Sequence, residues 1–179
     1  MKPTEVIPLF DSYLADHDLS LEGILVGGAA LALLGVISRE TRDFDLVEPE
    51  LPEFVKDAAK AFAAELRNRG VILRDDWLNN GPSQLASILP EGWRQHLQIA
   101  FQGRALTFWS LGRGELLLSK LFALCDRGQD LGDCLALSPT PAELAVAEPW
   151  ISVQDLNPDW PAHVHATLAD LGRRCGHGL

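Results

Sequence analysis

Residues 24–46 read ILVGGAALALLGVISRETRDFDL, and this stretch decides the fold. Ile24-Leu25-Val26 is a short apolar run of the kind that forms a buried strand, and Gly27-Gly28 ends it. Ala29 to Leu34 is rich in Ala and Leu, the composition of a buried helix, with Gly35 as a stop. Thr41 to Val47 alternates with period two, placing Asp43 and Asp45 on one face and Phe44 and Leu46 on the other, which predicts a second strand. The unit is therefore strand, Gly-Gly turn, helix, strand.

The flanking sequence extends this unit in both directions. Over residues 3–17, Val6, Ile7, Phe10, Tyr13 and Leu14 have the spacing of an amphipathic helix. Pro49 and Pro52 end the acidic strand, and residues 53–69 carry Phe54, Val55, Ala58, Ala59, Phe62, Ala63 and Leu66 along one helical stripe. Gly70 caps that helix, and Val71-Ile72-Leu73 is expected to be the next strand. Asn79-Asn80-Gly81-Pro82 is turn chemistry, and residues 95–101 and 104–109 read as a hairpin around Gln102-Gly103. Glu115 to Leu124 is a Leu-rich helix with Lys120 in its middle. From 130 onward, helical segments are punctuated by Pro139, Pro141, Pro149, Pro158 and Pro161. The expected architecture is α/β (α+β): a small mixed sheet flanked by helices over 1–110, with a helical C-terminal extension over 111–179 packed on that core.

Composition narrows the function. Fifteen basic against 25 acidic residues give a formal charge of −10. Broad binding to nucleic-acid backbones needs a basic face, so it is disfavoured, while a local basic patch or a small nucleotide neutralised by a metal stays open. No apolar run reaches the roughly 18 residues of a membrane span. Met1-Lys2-Pro3-Thr4-Glu5 lacks the layout of a secretory signal, so a cytoplasmic location is expected. Cys125, Cys134 and Cys175 have no C-x-x-C spacing and read as reduced structural thiols. His163-x-His165 and Cys175-Gly176-His177 supply no complete four-ligand set for zinc. The five tryptophans, at 77, 93, 109, 150 and 160, read as core and interface residues.

The chemistry concentrates on the opening stretch. Two carboxylates at i and i+2 on a strand repel unless a cation lies between them, and Mg²⁺ suits oxygen ligands while keeping positions open for phosphate and water. Gly-Gly between a strand and a helix lets backbone approach a phosphate closely and opens N–H groups to it. Together the two pieces can hold a metal–triphosphate and polarise it for attack.

Val26-Gly27-Gly28, a short helix, then Thr41-Arg42-Asp43-Phe44-Asp45-Leu46 resembles the signature of the nucleotidyltransferase (polymerase-beta-like) superfamily. Ser38-Arg39-Glu40-Thr41 resembles the Arg-x-Thr approach of its small bacterial branch, which includes abortive-infection and toxin–antitoxin proteins. Trp77-Leu78-Asn79-Asn80-Gly81, Leu89-Pro90, and Leu116-Leu117-Leu118-Ser119-Lys120 with Arg127, Asp130 and Asp133 continue it, over roughly 20–137. The resemblance implies that Asp43 and Asp45 bind Mg²⁺ and act in catalysis. It implies that Gly27 and Gly28, with Arg39 and Thr41, hold the nucleotide, and that Lys120 faces the same cleft and neutralises the triphosphate. Asp130 and Asp133, sharing a helical face, would position Arg127 or the acceptor. The bland alternatives are that Lys120 snorkels from a buried helix and that Asp130 caps a solvated helix start.

The implied activity is Mg²⁺-dependent nucleotidyl transfer from an NTP to a hydroxyl of an RNA such as tRNA, a protein or a small molecule. It would suit the toxin of a toxin–antitoxin or phage-defence system, with an antitoxin partner. Active members of the superfamily carry a third carboxylate on a later strand as general base. The expected strand is His96-Leu97-Gln98-Ile99-Ala100-Phe101, where His96, Gln98 and Ala100 share a face and none is acidic. Asp75 and Asp76, near the end of the preceding expected strand, are the candidate substitutes, though nothing in the sequence places them at the site. The alternative reading is a catalytically degenerate member that binds a nucleotide or a partner.

Overall fold

The computed structural model describes residues 2–41 and 43–177; Arg42 of the acidic motif lies outside them. The first helix, α1 (Pro3–Asp16), buries Val6, Ile7, Phe10 and Leu14, the predicted stripe. Strand β1 (Leu21–Val26) runs into α2 (Gly27–Leu33), which begins at Gly27 itself. β2 (Phe44–Glu48) is followed by α3 (Glu53–Asn68), which buries six of the seven residues anticipated from its spacing; Phe54, in the first turn, is exposed instead. A two-residue strand β3 (Leu78–Asn79), a short α4 (Leu85–Ile88) and a 3₁₀ turn over Trp93–His96 precede β4 (Gln98–Gln102) and β5 (Leu106–Ser110).

Among the described residues these strands form one mixed sheet in the order β3-β2-β1-β5-β4. β1 is antiparallel to β2 and parallel to β5, β2 is parallel to β3, and β4 closes an antiparallel hairpin with β5. The fold class is the mixed α/β arrangement expected. The aromatic centre of the core explains why β2 lies where it does. Trp77, fully buried, meets Phe10 of α1 and Phe44 of β2 edge-on at 5.0 and 5.1 Å, and its Nε1–H donates to the Ala59 carbonyl of α3 at 3.0 Å. With Phe44 turned into this cluster, the pleat directs its neighbours the other way.

Two expectations are corrected. Val71-Ile72-Leu73 forms no strand: Ile72 is 89% exposed, and the Leu73 carbonyl is taken by the Arg67 guanidinium at 2.8 Å rather than by a ladder partner. The strand beside β2 comes later, where the Trp77 carbonyl accepts from Phe44 N–H and fixes the register. The hairpin also starts later than expected. Gly92 in the left-handed region (φ +83°) and buried Trp93 set up the 3₁₀ turn, so His96 is outside β4.

The chain divides into two units, Met1–Gly112 and Arg113–Leu179. The second contains α5 (Arg113–Arg127), α6 (Leu131–Leu137), α7 (Pro141–Ser152) and α8 (Trp160–Arg174). Prolines begin rather than break two of these helices. Pro141 follows the Thr140 cap, whose hydroxyl accepts from Glu143 N–H while the Glu143 carboxylate accepts from Thr140 N–H, and Pro161 lies in the first turn of α8. Among the described residues no helix is long and apolar enough to cross a membrane.

Candidate active site

The site is assembled by the register of β1 with β2. Val26, the last residue of β1, lies opposite Asp45, so the Asp45 side chain arrives where the chain turns into α2. That turn requires Gly27, whose φ of +70° is in the left-handed region. A Cβ at Gly27 would also crowd the acid, lying 3.3 Å from Oδ2 of Asp45. Beside it, the Arg39 guanidinium lies over Gly28, with Nη2 3.1 Å from where a Cβ would be. The other carboxylate oxygen of Asp45 faces the backbone of Gly81, 3.9 Å from its would-be Cβ. Asp45 is thus bracketed by two glycines from segments far apart in sequence.

Asp43 stands just before β2, across the buried ring of Phe44 from the core, with its side chain 44% exposed. Thr41 Oγ1 donates to its carbonyl at 3.2 Å, holding the approach to the strand. Its Oδ1 lies 3.6 Å from Nη1 of Arg74. The structure therefore brings Gly27, Gly28, Arg39 and Asp45 together, with Thr41 and Asp43 adjoining along the chain.

The two acids of the motif offer oxygen donors, the ligand type a hard divalent ion takes. Both acids are half-buried, and Oδ2 of Asp45 approaches the turn closely at Gly27, which carries no side chain. Among the described residues no group of three or more His, Cys, Asp or Glu side chains converges, so such an ion would need phosphate and water to complete its shell.

The strand expected to carry a third acid is the wrong one. β4 is the far edge of the sheet, separated from β2 by β1 and β5, and Gln98 is spent donating Nε2–H to the Leu111 carbonyl at 2.9 Å. The strand that flanks β2 is β3, and the residue in register with Asp45 is Asn79. Its Oδ1 accepts the Gly81 N–H at 2.6 Å, closing the turn that brings Gly81 to Asp45. Asp75 pairs with Arg67 at 2.7 Å, and Asp76 takes Nε and Nη2 of Arg74 at 2.9 and 2.6 Å. The sequence signal at Asn79 was its Asn-Asn-Gly setting, which reads as a turn and conceals the strand pair.

Lys120 belongs to the helical unit and is 5% exposed on α5. Its Nζ lies 2.7 Å from Oδ2 of Asp133 and 3.3 Å from Oδ1 of Asp130. Asp130 occupies the cap position of α6 with φ +68°, yet its side chain makes no capping bond and turns to Lys120 instead. The two acids do share a direction, but the cation they position is Lys120. Arg127 is exposed and lies 3.8 Å from Asp126.

The histidines of the tail serve separate partners. His163 bonds the Cys125 carbonyl, His165 the Glu148 carboxylate and His177 the Pro139 carbonyl. The cysteines are free, and burial pushes the thiols of Cys125 and Cys134 up to about 11 and about 12, which leaves them protonated and unreactive.

Comparison with curated proteins and with solved structures found no match. Comparison with known families matched residues 6–136, a span that includes the glycine turn, both acids of the β2 motif and the Lys120–Asp130–Asp133 cluster, to the family described as nucleotidyltransferase of unknown function (DUF6036). The chain belongs to that nucleotidyltransferase family.

Proposed function

We propose that the chain transfers a nucleotidyl group from an NTP to a hydroxyl acceptor, with Mg²⁺ held by Asp43 and Asp45. The observation that carries this reading is the packing of the Asp45 carboxylate against the side-chain-free backbone of Gly27. Bound there, the cation would supply Lewis-acid polarisation of the phosphate under attack. Gly27 and Gly28 present no side chain to the triphosphate, and the Arg39 guanidinium beside Gly28 supplies positive charge to its oxygens. The acceptor oxygen forms a bond to the α-phosphorus as the α–β anhydride breaks and pyrophosphate leaves. Asn79 cannot take the hydroxyl proton, so deprotonation falls to Asp43, Asp45 or solvent. Lys120 contributes to the triphosphate only if it leaves its two carboxylates, a cost that favours a structural role.

A labelled-NTP transfer assay tests the assignment against RNA, protein and small-molecule acceptors. Asp43→Asn is expected to abolish transfer with an unchanged circular dichroism spectrum; transfer equal to that of the parent would refute the metal assignment. The toxin reading adds growth arrest on expression, relieved by Asp43→Asn or by an antitoxin partner.

The amide opposite Asp45 favours a second reading, a member of the family that binds nucleotide without turnover. Calorimetry with the four Mg²⁺–NTPs beside the transfer assay separates the two. Binding without product supports this reading, and product supports the first.

A further inference from the structure

Arg74 is absorbed neither by the fold nor by the nucleotide site as described, and its geometry is directional. Asp76 grips one edge of the guanidinium, Nε and Nη2, in a two-point fork at 2.9 and 2.6 Å. A fork fixes the plane of the guanidinium as well as its place, which a single contact cannot do. The nitrogen left over, Nη1, is the one that reaches Asp43, 3.6 Å from its Oδ1. The hydrogen bonds to Asp76, with the charges of Asp76 and Asp43, move the arginine's pKa further up. Arg74 also lines a cavity of about 880 Å³ with Glu40, Thr41 and residues 70–73.

We propose that Arg74, oriented by Asp76, is the resident counter-cation of Asp43: it neutralises the acid when no metal is bound and must yield that oxygen when a divalent ion enters. The inference rests on the reading of Asp43 and Asp45 as metal ligands. Its consequence is that Arg74 sets metal affinity against the sign expected of a helpful active-site arginine. An ion that binds Asp43 displaces an attraction already in place, so removing Arg74 strengthens metal binding. The pair is solvent-exposed on both sides, 56% and 44%, so the effect is bounded by the small strength of surface ion pairs, about two- to five-fold in affinity.

The test uses Mn²⁺ alone, without nucleotide, titrated into the full chain by calorimetry and by electron paramagnetic resonance of free Mn²⁺. Arg74→Gln is expected to bind about two- to five-fold more tightly than the parent, Arg74→Lys to return toward the parental value, and Asp76→Asn to fall between parent and Arg74→Gln. Arg74→Gln binding equal to or weaker than the parent overturns the proposal. Asp76→Asn indistinguishable from the parent overturns the positioning role of Asp76. Asp43→Asn serves as the separate check on the underlying reading. Loss of Mn²⁺ binding there together with an unchanged Arg74→Gln refutes the counter-cation alone, whereas parental binding by Asp43→Asn refutes the metal site and this proposal with it.

Discussion

At the scale of single residues, the two glycines of the turn are not equivalent. Gly27 combines a left-handed φ with a carboxylate 3.3 Å from its missing Cβ, whereas Gly28 is outside that region and the three atoms nearest its missing Cβ belong to the end of the Arg39 side chain. Gly27→Ala is expected to cost about 1–2 kcal/mol from backbone conformation and to displace Asp45 as well. Gly28→Ala should cost less than Gly27→Ala, because its backbone is outside the left-handed region and the end of Arg39 need give by only a few tenths of an ångström. Urea unfolding of the two variants, with Mn²⁺ titration of each, checks both halves. Asn79 offers the reciprocal experiment. Asp at this position keeps an acceptor oxygen for the Gly81 N–H while adding a carboxylate beside Asp45. Without metal, Asn79→Asp should melt lower than the parent through like-charge repulsion, and Mg²⁺ should raise its Tm more than it raises the parent's. If the amide is what limits deprotonation, transfer should rise about 100-fold, the lower end of what a general base contributes.

Among the elements, α1 and the β4–β5 hairpin are joined by one buried carboxylate. Asp11, 7% exposed, accepts N–H groups from Arg104, Ala105 and Leu106 at 3.2, 2.8 and 2.9 Å, and Gly103 leaves space for it. Asp11→Ala leaves buried donors without acceptors and should cost about 2–3 kcal/mol in urea unfolding. The pH dependence has a definite sign. Burial is the largest single influence on Asp11 and raises its pKa, but the three backbone bonds and the Arg104 charge together outweigh it, so the native carboxyl titrates below its usual 3.8. The unfolded chain therefore takes up the proton first as pH falls. The stabilisation from Asp11 is complete well above 3.8 and is lost as pH drops through that value toward the lowered native one. The stability difference between parent and Asp11→Asn should accordingly shrink on going from pH 6 to about pH 3. The helix of Asp11 was plain from its apolar spacing, but a carboxylate whose partners lie more than 90 positions away carries no local signal.

For the whole molecule, the helical unit holds its own buried charge cluster. Lys120 and Asp133 are 5% and 2% exposed, so removing the ammonium leaves acid without its cation in a poorly solvated place. Lys120→Met should cost about 3–5 kcal/mol, and Lys120→Met combined with Asp133→Leu should recover much of it. Thermal unfolding of the single and double variants decides whether this lysine is chiefly structural. A transfer rate that falls while stability is preserved would return it to the nucleotide site.

What the sequence determined by itself is local. The Gly27-Gly28 turn and most of the stripes of α1 and α3 each lie within one short window, where backbone geometry alone relates the side chains, whereas the strand expected over Thr41–Val47 begins only at Phe44 and leaves Asp43 outside it. Where two windows had to be put in register, only the tertiary structure decided. It placed β3 rather than β4 beside β2, which put Asn79 opposite Asp45, and it brought Arg74 to Asp43 and Lys120 to Asp130 and Asp133. The physical reason is that strand order and ion pairing are settled by burial of the shared core around Trp77 and by charges meeting across folded segments, neither of which leaves a periodic trace in the chain.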